Sequence, residues 1–337
     1  MFRIIYNEIR KDFVQYLAVT FIAICAFKIL MTIHYPNVDT LVDAAFGVVE
    51  GRPHWLAYQN RLLGPYTIFS ISELFGLSLK TSWLIYTATA LQIFCVLFFW
   101  ILRREHVSIR DSLSYLITII FSFLALQHSW FYAWDSIDFI IFTLFAYGIF
   151  KAYSVRFFLF LFIIGILNRE SALFIALYLI FDAFILPKGL FSIRLHNPRS
   201  LVVGSTLLTG GVIYTQYIRN LLFISKSDLT GGGHDAEHEL IGNHIYLFSN
   251  IKDLAINLTN SNFIVSVFII TTFLYFIMSH RRMGDRQLKA LIVALAMFAN
   301  ILIFGIVNET RMHLILLPFF MFLWISLNDK AFGSKVS

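Results

Sequence analysis

Long apolar runs separated by short polar knots make up this chain. Ten stretches are apolar almost throughout: 13–33, 81–102, 112–127, 137–151, 156–168, 171–187, 200–218, 262–279, 288–307 and 312–327. A membrane-crossing helix needs about 20 mainly apolar residues, because the hydrocarbon core is about 30 Å thick and each residue rises about 1.5 Å. The pattern therefore predicts an all-α polytopic membrane protein with about ten transmembrane helices. Several runs hold only 13–16 residues, which implies tilted, broken or partly inserted helices. A further run, 62–79, is interrupted by Gly64, Pro65, Ser70, Ser72 and Glu73, and reads as a re-entrant or surface helix.

Two polar connections exceed turn length. One spans 34–80, directly after the first apolar run, and the other spans 219–261. Long loops in a compact protein carry function or are disordered. The rest of the chain offers no linker and no internal repeat, so 1–337 reads as a single transmembrane domain with a short tail at 328–337. The first run is too long for a signal-peptide core and has no small-residue cleavage site after it, so it is expected to stay as a span.

Composition narrows the class. Hydrophobic residues are 58% and charged residues 14% of the chain, against about 25% charged in soluble domains. This excludes a soluble enzyme, a disordered chain and a nucleic-acid-binding domain. Cys25 and Cys95 lie inside apolar runs and read as buried small hydrophobes, not as a disulfide or metal framework.

Charge gives an orientation. With the N-terminus inside, 17 of the 26 Lys and Arg fall on one face of a ten-span arrangement. The positive-inside rule makes that face cytoplasmic and places both termini there. Thirteen of the 20 carboxylates fall on the opposite face, together with both long loops. Chemistry is therefore expected on the outer face, in a plasma or bacterial inner membrane.

Polar knots on that face supply the candidates. In the first loop, a helix over 38–49 would place Asp39 and Asp43 one turn apart, on an otherwise apolar interfacial segment. They would act as general base or cation ligands, or as helix cap and solvated carboxylate. Arg61 precedes the Pro65-broken helix and suits a phosphate or a lipid headgroup. Trp134, Asp135 and Asp138 open the fourth span, and rings beside carboxylates are suitable material for a sugar site. Trp130 and Trp134 also fit an aromatic belt. Asn168, Arg169 and Glu170 interrupt a long apolar stretch, and ionisable groups at a membrane boundary point to function. Being adjacent, Arg169 and Glu170 are expected to have separate partners. Asn308–His313 is a similar knot, in which a helix would pair Glu309 with His313 and turn Arg311 away. A purely structural ion-pair network among Arg169, Glu170, Glu309 and Arg311 is the competing reading. The glycine-rich stretch 230–244 carries His234, Asp235, Glu237, His238, Glu239 and His244, but lacks the spacing of a zinc-protease helix.

Taken together, these knots share one face, and the layout across 13–327 resembles the GT-C-type integral-membrane glycosyltransferases. The resemblance implies an extracytoplasmic active site with an essential carboxylate in the first outer loop. It implies a polyprenyl-phosphate-linked sugar as donor and a cell-envelope glycan or lipid as acceptor, with membrane lipids around the chain. Asp39 or Asp43 takes the catalytic position by place in the loop, although their i,i+4 spacing departs from the family's closely spaced acidic pair. Arg61, Arg169 and Arg311 would hold the donor phosphate. Trp134, Asp135, Asp138, Asn168, Glu170, Glu309 and His313 would contact substrate. Mg²⁺ or Mn²⁺ on Asp39 and Asp43 is an open alternative. The rival readings are a polysaccharide polymerase or ligase, and a transporter or flippase of lipid-linked saccharides. The last expects polar residues near mid-membrane, whereas these knots sit at helix ends.

Overall fold

The computed structural model describes residues 2–53, 58–127, 130–185, 194–222, 245–256, 263–307 and 309–328. The 230–244 stretch, Asn308 and the tail beyond Asn328 lie outside the described residues. The chain runs through α1 (Phe2–His34), α2 (Val38–Val49), α3 (Leu63–Phe75), α4 (Leu79–Arg104), α5 (Ile109–Ala125), α6 (Ala133–Phe150), α7 (Val155–Asn168) and α8 (Leu173–Asp182). Two short strands follow, β1 (Phe184–Ile185) and β2 (Arg194–Leu195), paired antiparallel with Phe184 opposite Leu195. Then come α9 (Pro198–Leu222), α10 (Leu247–Ile256), α11 (Phe263–Met278), α12 (Asp285–Phe304) and α13 (Leu317–Asn328). The turns Tyr35–Asn37, Glu170–Ala172, His280–Arg282 and Thr310–Leu316 are 3₁₀.

Among the described residues, six helical stretches are long and apolar enough to cross a membrane. They are Phe13–Val49, Leu79–Arg104, Ala133–Phe150, Pro198–Ile218, Asp285–Phe304 and Thr310–Asn328. This makes the chain an all-α membrane protein, with a shorter list of full spans than the ten apolar runs suggested. The other four runs hold α5 with 17 residues, α7 with 14, α8 with 10 and α11 with 16. Ten helical residues rise about 15 Å, half the hydrocarbon core, so α8 does not cross alone. Its run, 171–187, is divided because 170–172 form a 3₁₀ turn and β1 begins at Phe184.

Both α1 and α6 carry a long apolar window, yet the two windows serve differently. The apolar window of α6 is 83% buried and that of Phe13–Val49 only 22%. A helix apolar all round is buried either in protein or in lipid. α6 takes the first course, packing on α3, α4, α7, α12 and α13. Phe94 and Phe123 stack on its Phe139, and Phe319 meets its Phe145. α1 takes the second, exposing Phe13, Val14, Leu17, Phe21 and Ile24 along its length.

Serine caps set the starts of two helices. Ser78 Oγ accepts from Thr81 N–H at 3.1 Å, and Ser108 Oγ from Asp111 N–H at 3.1 Å. Glycines let neighbours approach. A Cβ on Gly64 would lie 3.0 Å from the Ala133 carbonyl, so α3 starts hard against the start of α6. The helix directions then bring the polar knots to one end of the bundle. The C-terminal ends of α5 and α7, the N-terminal ends of α3 and α6, and the 309–313 knot all meet there.

Candidate functional site

The segment before α6 is extended at Tyr132. In extended backbone, alternate residues share a side. Trp130, Tyr132 and Trp134 stack in a row, with ring centroids 6.2 and 4.8 Å apart. Phe131 points the other way and stacks on His34, 6.0 Å away at the end of α1. The carboxylate of Asp135 reaches back to accept the Tyr132 N–H at 2.9 Å, closing the first turn of α6.

Asp135 and Asp138, three residues apart, present their carboxylates on one face of α6. Arg169 enters between them: its Nη1 lies 3.8 Å from Asp135 Oδ1 and 3.3 Å from Asp138 Oδ2. Arg169 can do this because its backbone is extended, which ends α7 and swings the side chain toward α6. Asn168 Nδ2 donates to Asp138 Oδ1 at 2.7 Å and to the Trp134 carbonyl at 3.0 Å. Arg311 approaches from the far end of the chain. Its Nη1 lies 3.4 Å from Asp135 Oδ2, its guanidinium covers the Tyr132 ring at 4.4 Å, and Nε and Nη2 donate to Glu309. Asp135 therefore bridges two arginines that are far apart in sequence. Thr310 Oγ1 anchors the same segment by donating to the Leu126 carbonyl at 2.6 Å.

The expected pairing in 308–313 is corrected. Glu309 and His313 do not pair, and Arg311 does not turn away. Thr310–Leu316 is 3₁₀ and Glu309 is non-helical, so Glu309 faces Arg311 instead. His313 is buried, with Nε2 3.3 Å from the Val307 carbonyl. The expected structural network runs through Asp135 and Asp138, neither of which that reading included.

Arg61 differs from the other two arginines. It is only 5% exposed, and the Tyr58 and Trp134 rings each cover it at 4.8 Å. Its Nε and Nη1 have no hydrogen-bond partner. Nearby, Trp134 Nε1, Asn168 Oδ1 and Ser171 Oγ are also buried without one. The loop is held by Leu62 N–H donating to the Leu167 carbonyl at 2.9 Å. Burial, then repulsion from Arg169, lowers the Arg61 pKa to about 10, partly offset by attraction to Glu170. The guanidinium is still charged at neutral pH. Burial raises the Tyr58 pKa, so its phenol stays neutral and serves as a ring face.

Asp39 and Asp43 are exposed on α2, one turn apart. Asp39 pairs with Lys80 at 2.8 Å, at the start of α4. An ammonium on Asp39 makes the pair a poor divalent-cation site. Among the described residues, no group of three or more His, Cys, Asp or Glu is placed to hold a metal. Tyr58, Tyr132 and Met312, whose sulfur lies 3.1 Å from Arg169 Nη2, complete the cluster and were not singled out from sequence. The Trp-x-Tyr-x-Trp alternation was the available signal for Tyr132. A cavity of about 740 Å³ lies elsewhere, where α7, α9 and α12 begin.

No protein-family model, curated protein or solved structure matches the chain.

Proposed function

We propose that the buried cluster is the substrate site of a membrane glycosyltransferase that takes a sugar from a polyprenyl-phosphate-type donor. Arg61 carries the reading. It is a buried charge with two donor nitrogens, Nε and Nη1, without a partner, and the Tyr58 and Trp134 rings, 4.7 Å apart, lie together on one side of it, so an anion would reach it from the side they leave free. An unpaired buried charge is costly, and a phosphate oxygen would satisfy it. Arg169 and Arg311 are already held by Asp135, Asp138 and Glu309, so they position the site and leave Arg61 to meet the anion.

The bond between the anomeric carbon and the phosphate oxygen breaks, and the lipid phosphate leaves with the bonding pair toward Arg61. The acceptor hydroxyl forms the new glycosidic bond and gives its proton to a carboxylate. Asp43, exposed on α2, is the proposed acceptor of that proton, because Asp39 is occupied by Lys80. Glu309, 31% exposed at its side chain, is the carboxylate of the cluster nearest water. The reading takes α7 and α8 as two arms that meet at the Arg169 turn. It places the cluster on the extracytoplasmic face of a plasma or bacterial inner membrane, both termini inside.

Purified protein is incubated with a panel of polyprenyl-phosphate sugars, and release of lipid phosphate is followed. Arg61→Lys keeps charge but loses the planar donor set, and is expected to slow release by about 10²-fold. Asp43→Asn is expected to abolish it. Full release by Arg61→Lys, or movement of the lipid-linked sugar across vesicles without bond cleavage, overturns the reading.

A further inference from the structure

The end of the bundle opposite the arginine cluster holds the cavity of about 740 Å³. Ligand cavities commonly measure about 300–1,000 Å³. This one lies where α6 and α8 end and α7, α9 and α12 begin. Its charges are unevenly spent. Lys289 Nζ sits 3.0 Å from Asp182 and 3.1 Å from Asp285, so one cation takes up both carboxylates of the lining. Arg286 donates from Nη1 to the Phe150 carbonyl at 3.3 Å, a neutral partner. Arg156 and Arg199 also line the cavity, and among the described residues no carboxylate forms an ion pair with either. Three guanidinium groups thus line one space whose two carboxylates, Asp182 and Asp285, are both paired with Lys289. The starts of α7, α9 and α12 add the positive ends of three helix dipoles.

The surroundings are apolar on one side. Phe184 lines the cavity, and beside it Leu195 is 53% exposed and Val202, on the first turns of α9, 64% exposed. A phosphate held by the arginines would leave an acyl chain free to lie along that surface. We propose that this cavity binds the phosphate of an anionic phospholipid from the leaflet at that end of the bundle. Phosphate recognition is the core of the proposal, and a soluble phosphate is the competing source. The inference is independent of the glycosyltransferase reading, because the two sites lie at opposite ends of the helices.

The test uses the full chain in detergent micelles, titrated with phosphatidylglycerol or phosphatidylcholine and read by native mass spectrometry. Wild type is expected to retain one phosphatidylglycerol in preference to phosphatidylcholine. Arg156→Gln/Arg199→Gln is expected to weaken that binding by about tenfold or more. Both residues are exposed, so the fold should survive, and an unchanged lipid-free melting temperature checks it. Arg281→Gln/Arg282→Gln, exposed arginines outside the cavity lining, should bind as wild type does. Equal binding of the two lipids, or equal loss in both double variants, overturns the proposal. Thermal stabilisation by inorganic phosphate without retention of phosphatidylglycerol overturns the lipid assignment.

Discussion

Arg61 and Arg311 both lie against aromatic rings, yet their charges are met differently. Arg311 is bonded to Glu309 and faces Asp135, while two donor nitrogens of Arg61 have no partner. Asp135 is the residue on which the network depends, since it meets Arg169, Arg311 and the Tyr132 N–H. Asp135→Asn leaves two buried arginines less compensated and should cost about 3–5 kcal/mol. A fall in melting temperature in detergent measures this. Asp39→Asn removes an exposed ion pair, screened by water, and should leave the melting temperature unchanged. If the two variants melt alike, the buried network is not structural. The lowered pKa of Arg61 also sets a pH sign. Its charge opposes folding below about pH 10, and that penalty fades as pH rises through the folded value. Binding of a lipid phosphate, which needs the charge, should weaken over the same rise, as titration by tryptophan quenching would report.

At the scale of elements, close approach depends on glycine. A Cβ on Gly204 would sit 2.9 Å from the Ala176 carbonyl oxygen and from Ile180 N, and one on Gly211 2.7 Å from Leu173 Cδ2. α8 and α9 therefore pack backbone to backbone, as small residues permit between membrane helices. Gly204→Leu should separate them at a cost of about 1–3 kcal/mol, read as a lower melting temperature. Because α8 also joins α12 through Asp182 and Lys289, the same variant should weaken lipid retention in the cavity. The apolar runs marked where these helices lie, and α2 matched its expected 38–49 range. They did not mark how the knots between them fold. The 310–316 turn is 3₁₀ and follows a non-helical Glu309, and apolar periodicity carries no information on that choice.

For the whole molecule, the two polar ends divide the work. One gathers buried arginines and carboxylates under α2 and α3, and the other holds the basic cavity. Cysteine labelling tests their orientation in a Cys25→Ala/Cys95→Ala background. Asp43→Cys should react with a membrane-impermeant maleimide in intact cells, and Arg281→Cys only after permeabilisation. The opposite pattern would invert the proposed topology.

Length, apolar periodicity and the scarcity of charge were enough to specify a helical membrane protein, because burying backbone in lipid leaves a chain so apolar few other choices. They also placed the polar knots at helix ends. Which charges pair was decided only by the tertiary structure. Asp135 meets Arg311 across 176 positions and Asp138 meets Arg169 across 31, separations that no local pattern encodes. The isolation of Arg61 belongs to the same class of fact. Its Nε and Nη1 lack a partner while Asp135, Asp138 and Glu309 are met by Arg169 and Arg311, a division that depends on how distant segments pack.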